Sequence, residues 1–144
     1  MRIACLGGLI LVVALARPAA ADVVIDWNNV LLDAIRTNNV NPPRASRAMA
    51  MVHGAVFDAV NTIDRTHVPY HVQLNVSPGG NREAAAAQAA HDVLVNLFPT
   101  QQATFDSALT TSLSAIPDGT SKAGGVGCHC PGSVPGVYGV ISVL

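Results

Sequence analysis

"RASRAMAMVHGAVFDAVNTID", Arg44 to Asp64, sets two arginines, a histidine and two aspartates inside an otherwise apolar stretch. Counted as a helix over roughly 44–63, at about 100° per residue, it lines up Ala45, Met49, Val52, Val56, Ala59 and Ile63 as one continuous apolar stripe. Arg47, Met51, Gly54, Asp58, Asn61 and Arg65 form a second stripe of mixed character on the opposite side. A helix with two such stripes is contacted on more than one side, so this segment is expected to be a central core helix. Gly54 would let another backbone come close, at a cost of about 1 kcal/mol in helix propensity.

The polar residues of this stretch read as structural. His53 lies on the flank beside Met49, Val56 and Phe57, five positions before Asp58. That is about 140° round the helix, so the two cannot act together as a ligand pair or a catalytic dyad. A half-buried histidine with one hydrogen-bond partner is the expected outcome. Asp58 is expected to bond a neighbouring helix end or to pair with Arg65 or another arginine.

Three more helices follow from the pattern. Val24 to Asn38 repeats apolar residues at Trp27, Val30, Leu31, Ala34 and Ile35, and the Asn38-Asn39 and Asn41-Pro42-Pro43 segments break it. Residues 66–81 read as an extended connection. A third helix spans Arg82 to Phe98 and stops at Pro99; Thr100 is a good N-cap for a fourth, which continues to about Ile116 and closes at Pro117-Asp118-Gly119. The fold class is therefore all-α, a small bundle of about four helices. Half of the chain is hydrophobic, yet only 4% is aromatic and 12% charged. Much of the apolar count is alanine, which favours closely packed helices over a large aromatic-lined pocket.

The two ends differ from this middle. Met1-Arg2 carries a positive charge, Ile3 to Ala16 is an uncharged apolar run, and Arg17-Pro18 leads into Ala19-Ala20-Ala21. This order of charged, apolar and small-residue regions is that of a secretory signal peptide, cut between Ala21 and Asp22, so residues 1–21 are set apart and the protein is expected to be exported, periplasmic or secreted. The apolar run falls short of the about 20 residues a spanning helix needs, although an uncleaved anchor is the alternative. Without residues 1–21, the eight basic residues less Arg2 and Arg17 leave six against nine acidic ones, a formal charge of −3. No basic patch remains, and nothing points to nucleic acid. Residues 22–123 form the helical domain. Residues 124–144 read as an irregular Gly/Pro/Val tail; from Ala123 onward the chain has six glycines, two prolines and no charged residue.

Other residues capable of chemistry are sparse. Cys128 and Cys130 are too close together for an easy disulfide. With His129 they offer two thiolates and an imidazole, but a zinc site normally takes its ligands as two separated pairs and no second cysteine pair exists. His67 and His71 are four apart, with Pro69 between them disfavouring a shared helical face. His91 flanks Ala87, Leu94 and Phe98 and reads as a packed histidine. No Ser-His-acid arrangement is recognisable, and Gly124-Gly125-Val126-Gly127 is too short for a phosphate loop and lacks Lys-Ser/Thr. No catalytic, cofactor-binding or metal residue is assigned.

"PPRASRAMAMVHGAVFDAVNTID" (Pro42–Asp64), with "WNNVLLDAIR" before it and "REAAAAQAAHDVLVNLFP" (Arg82–Pro99) and "TFDSALTTSLSAIPDGTSKAGGVG" (Thr104–Gly127) after it, resembles the N-terminal helical region of bacterial vanadium-dependent haloperoxidases, relatives of the type 2 phosphatidic acid phosphatases. The resemblance covers roughly 24–127. It implies an all-α fold and, for full-length members, a vanadate or phosphate site in the C-terminal half. That site uses a lysine and an Arg-Pro, a Pro-Ser-Gly-His segment, and a last motif with an arginine and the axial histidine. A multiply charged oxyanion needs such convergent donors. This sequence departs from the pattern: it has no Ser-Gly-His, its only Arg-Pro is Arg17-Pro18, and its only lysine is Lys122. The resemblance also ends near Gly127, where the composition changes, so a truncated or frame-shifted product is expected. The functional expectation is an exported N-terminal scaffold portion of a haloperoxidase-like protein, inactive alone, with vanadate belonging only to the full-length family and with self-association through uncovered apolar helix faces. A small exported helical binding module without enzymatic activity is the alternative.

Overall fold

Asn41-Pro42-Pro43 starts a helix rather than merely ending one. The Asn41 side chain accepts the Arg44 N–H at 3.1 Å, and the two prolines occupy the first helical positions, where a missing N–H costs nothing. The computed structural model describes residues 22–71 and 79–127. The expected signal peptide, residues 72–78 of the connection, and the tail from Cys128 with His129 and Cys130 lie outside them.

Within the described residues the chain forms five α-helices and one short 3₁₀ turn, with no strand. They are α1 (Val23–Thr37), α2 (Pro42–Asp64), α3 (Arg82–Leu97), a 3₁₀ turn (Pro99–Gln101), α4 (Gln102–Ser114) and α5 (Thr120–Val126). The protein is an all-α helical bundle. None of these helices is long and apolar enough to cross a membrane.

The centre of the bundle is α3, not α2. Ten α3 residues are buried: Ala84 to Ala90, which includes Gln88, together with Asp92, Val93 and Leu94. They point in every direction round the helix, as expected of one enclosed on all sides. Accordingly α3 packs against α1, α2, α4, α5 and the 3₁₀ turn. Alanine makes this possible, because a helix whose surface ends at Cβ lets several neighbours approach at once. The alanine run gave a weaker periodic signal than the larger side chains of α2, which is why the sequence pattern pointed to the wrong central element.

α2 lies on α3 with a face slightly rotated from the expected stripe. Its most buried line runs through Ala48, Val52, Ala55, Ala59 and Thr62, while Ala45, Met49 and Ile63 sit half-buried at the margin. The other side of α2 is covered too, as its second stripe implied, by the segment that follows it. Arg65 adopts φ 52°, closing α2 in the left-handed region with its N–H on the Asn61 carbonyl. The chain then doubles back along the helix. What approaches Gly54 is the Tyr70 ring, in ordinary van der Waals contact, rather than another backbone.

Two further boundaries differ from expectation. Thr100 does not cap α4. Proline at 99 begins a 3₁₀ turn that contains Thr100, and α4 starts afterwards at Gln102 without a side-chain cap. Residues 124–126, expected to open the irregular tail, belong to α5. Their glycines fit a tight crossing: a Cβ on Gly125 would collide with the Asn81 carbonyl and the Ala84 methyl group. Asn81 fixes the same spot, donating its N–H to the Ser121 carbonyl (2.8 Å) while its side chain accepts the Ala84 N–H (2.8 Å) to cap α3. A periodicity count treats glycine as a helix breaker and has no means of registering this docking.

Candidate functional site

Two polar centres and one groove stand out. The first lies on the outer side of α2. Asp58 is 1% exposed, and its carboxylate accepts the Tyr70 N–H (2.6 Å) and the His71 N–H (2.9 Å). Asn61 exchanges two bonds with His67: its amide donates to the His67 carbonyl (2.8 Å) and its oxygen accepts the His67 N–H (2.9 Å). Thr62 donates to the Asp58 carbonyl. A buried carboxylate is tolerable only with such donors, and here they come from the loop after α2 rather than from a helix end. The centre fastens a connection to a helix. His67 and His71 join it through their backbones, the His67 ring resting edge-on to Phe57 and bonding Thr66.

The second centre sits where α1, α3 and α4 meet. His91 of α3 places Nδ1 3.2 Å from Asp92 Oδ1 and Nε2 2.7 Å from Asp106 Oδ1 of α4. Gln88 donates to Asp92 Oδ1 at 2.8 Å, and the Trp27 ring of α1 meets the imidazole edge-on with centroids 6.3 Å apart. Trp27 is itself buried and donates its indole N–H to Ser112 of α4 at 3.2 Å. The Asp92 hydrogen bond holds the imidazolium above the usual histidine range; burial opposes this, and the Asp106 hydrogen bond reinforces it. His91 is packed, as its flanking residues suggested, but it is also a junction between two carboxylates. The sequence showed His91-Asp92 as neighbours. Asp106, fifteen positions on and on another helix, had no periodic link to them.

His53 is half-buried and meets Asn28 of α1 at 3.2 Å, matching the single partner expected of it.

The groove runs beside α1 and α4 and has a volume of about 930 Å³. Trp27, Val30 and Ala108 supply its apolar surface, and Ser107, Thr111 and Ser112 its hydroxyls. Asp22, Asp26 and Glu83 stand along it in the first turns of α1 and α3, where helix dipoles favour carboxylates.

Arg36 pairs with Asp33 in α1, Arg82 of α3 reaches Asp64 at the end of α2, and Lys122 holds Asp118 and the Ile116 carbonyl. Hydrogen bonding to Lys122 keeps the exposed Asp118 carboxyl below its ordinary range. Arg44 and Arg47 lie in the first turns of α2, and Arg65 at its other end. Arg82 thus ties α3 to α2, and Lys122 ties α5 to the turn before it. No protein-family model matches the chain, and neither does any curated protein or solved structure.

Proposed function

We propose that this protein is an exported helical scaffold, corresponding to the N-terminal portion of a vanadium-haloperoxidase-like protein of the phosphatase superfamily, and that it carries out no haloperoxidase or phosphatase turnover alone. One observation carries the reading. The segments that resemble that family fall on α1, α2, α3 and α4–α5, and their polar side chains are engaged in holding helices and loops together. Asp58 and Asn61 bind the loop after α2, His53 links α2 to α1, and His91 links α3 to α4. In the full-length family, vanadate would supply the oxidation of halide by peroxide; the residues described here would brace such a domain.

The test is turnover by the purified protein, with bromide, hydrogen peroxide and vanadate in one assay and a phosphate monoester in another. Rates equal to those of a heat-killed control are expected. Activity above that control overturns the reading.

A non-enzymatic binding module is the second reading, favoured by the groove beside α1 and α4. The two differ in their exposed apolar surface. A scaffold lacking its partner domain binds a hydrophobic dye and self-associates through residues such as Ile25, Phe57, Val68 and Tyr70, which are exposed. A self-sufficient module unfolds cooperatively as a monomer with little dye binding before the transition.

A further inference from the structure

The geometry points to a proton-operated clasp in which His91 of α3, between Asp92 and Asp106, holds α4 against the bundle when its imidazole is charged and loosens α4 when the charge is lost. Both ring nitrogens face carboxylate oxygens, Nδ1 at 3.2 Å and Nε2 at 2.7 Å. A neutral imidazole has one N–H, so one of its nitrogens would turn a lone pair toward a carboxylate lone pair. Only the imidazolium donates at both positions, and such charge-assisted bonds are the stronger kind.

The surroundings suit a switch. The His91 side chain is 14% exposed, that of Asp92 7% and that of Asp106 52%, so the proton can be exchanged with solvent on the α4 side. From α3 the facing charge is Asp92, itself oriented by Gln88; from α4 it is Asp106; α1 brings the uncharged Trp27 ring.

α4 packs on α3 through Phe105 and the half-buried Ala108 and Leu109. Phe105 is its one buried residue, and its other cross-helix hydrogen bond is the Ser112–Trp27 contact. The same helix contributes Thr104, Ser107, Ala108, Thr111 and Ser112 to the groove, so releasing it also opens that wall.

The direction with pH follows from linkage. His91 binds its proton more tightly folded than unfolded. The clasp therefore contributes in full below about pH 6.5, the unperturbed histidine value. It fades as pH rises through the higher folded-state value.

The experiment uses the full chain. The His91 imidazole resonances are titrated by NMR, and amide exchange of α4 is followed from about pH 5 to about pH 8, where an imidazole changes charge, after correction for intrinsic exchange. His91 is expected to titrate above free histidine. α4 should lose protection with rising pH, by up to about tenfold for each pH unit separating the folded and unfolded midpoints, while α3 keeps its own. D106N, at an exposed position on α4, should lower the His91 midpoint and abolish the trend. A His91 midpoint at or below that of free histidine overturns the clasp, as does an unchanged trend in D106N or equal loss of protection in α3.

Discussion

The α2–α3 side of the molecule and the α4 side are held by different means. On the first, Val52, Ala55, Ala59 and the alanines of α3 lie in close contact, nearly all of them under 2% exposed. On the second, a thirteen-residue helix rests on the bundle through one buried aromatic ring and the half-buried Ala108 and Leu109, and two polar contacts tie it to α1 and α3. Apolar burial is non-directional and insensitive to pH, whereas a histidine–carboxylate junction depends on both geometry and protonation. The contrast places the adjustable part of the bundle at α4 and the rigid part at α2 and α3.

The sharpest way to break this comparison is to remove Phe105. F105A deletes the only buried side chain of α4, and a loss of about 3–5 kcal/mol is expected for truncating a buried phenylalanine. The loss should appear mainly as faster amide exchange in α4, with α2 and α3 less affected; uniform loss across all helices would show that α4 is integral to one cooperative core. L94A is the counterpart on the rigid side. Leu94 is fully buried in α3, and its truncation should cost about 2–5 kcal/mol, read as a fall in the melting temperature of the whole domain. A change confined to one helix would contradict the central role of α3.

A smaller effect is expected from D58N. An amide retains one acceptor oxygen where the carboxylate offered two, so the Tyr70 or the His71 N–H loses its partner, at about 1–3 kcal/mol. Faster exchange at those two amides, with α3 unchanged, would confirm that this centre fastens a loop. The smallest effect belongs to T100A. Because the Thr100 hydroxyl caps nothing, the change in denaturant midpoint should correspond to less than about 0.5 kcal/mol. A loss of about 1 kcal/mol, the usual value of a lost cap, would restore Thr100 to the capping role its position in the sequence suggests.

The extents of α1, α2 and α3 were legible within one or two residues because each repeats apolar residues at helical spacing, with an asparagine pair ending α1 and a proline following α3. His53 was legible for the same reason, since its angle on the helix fixed its half-burial. Asp58 was expected to bond a helix end or an arginine; that its carboxylate accepts backbone N–H groups twelve and thirteen residues ahead was not legible, because that loop has no pattern. α5 was hidden by its glycines. They weaken a helix locally and are accepted there because only a bare Cα fits against the Asn81 carbonyl.

By itself, then, the sequence determined an all-α bundle, the limits of its main helices, and the half-buried place of His53 with its single partner. The tertiary structure alone decided that the alanine helix α3 lies at the centre and that His91 meets Asp106 across two helices. Both depend on which surfaces face each other after folding. Periodicity describes one helix at a time, whereas close packing of small side chains and the pairing of a histidine with a distant carboxylate are properties of helices brought together.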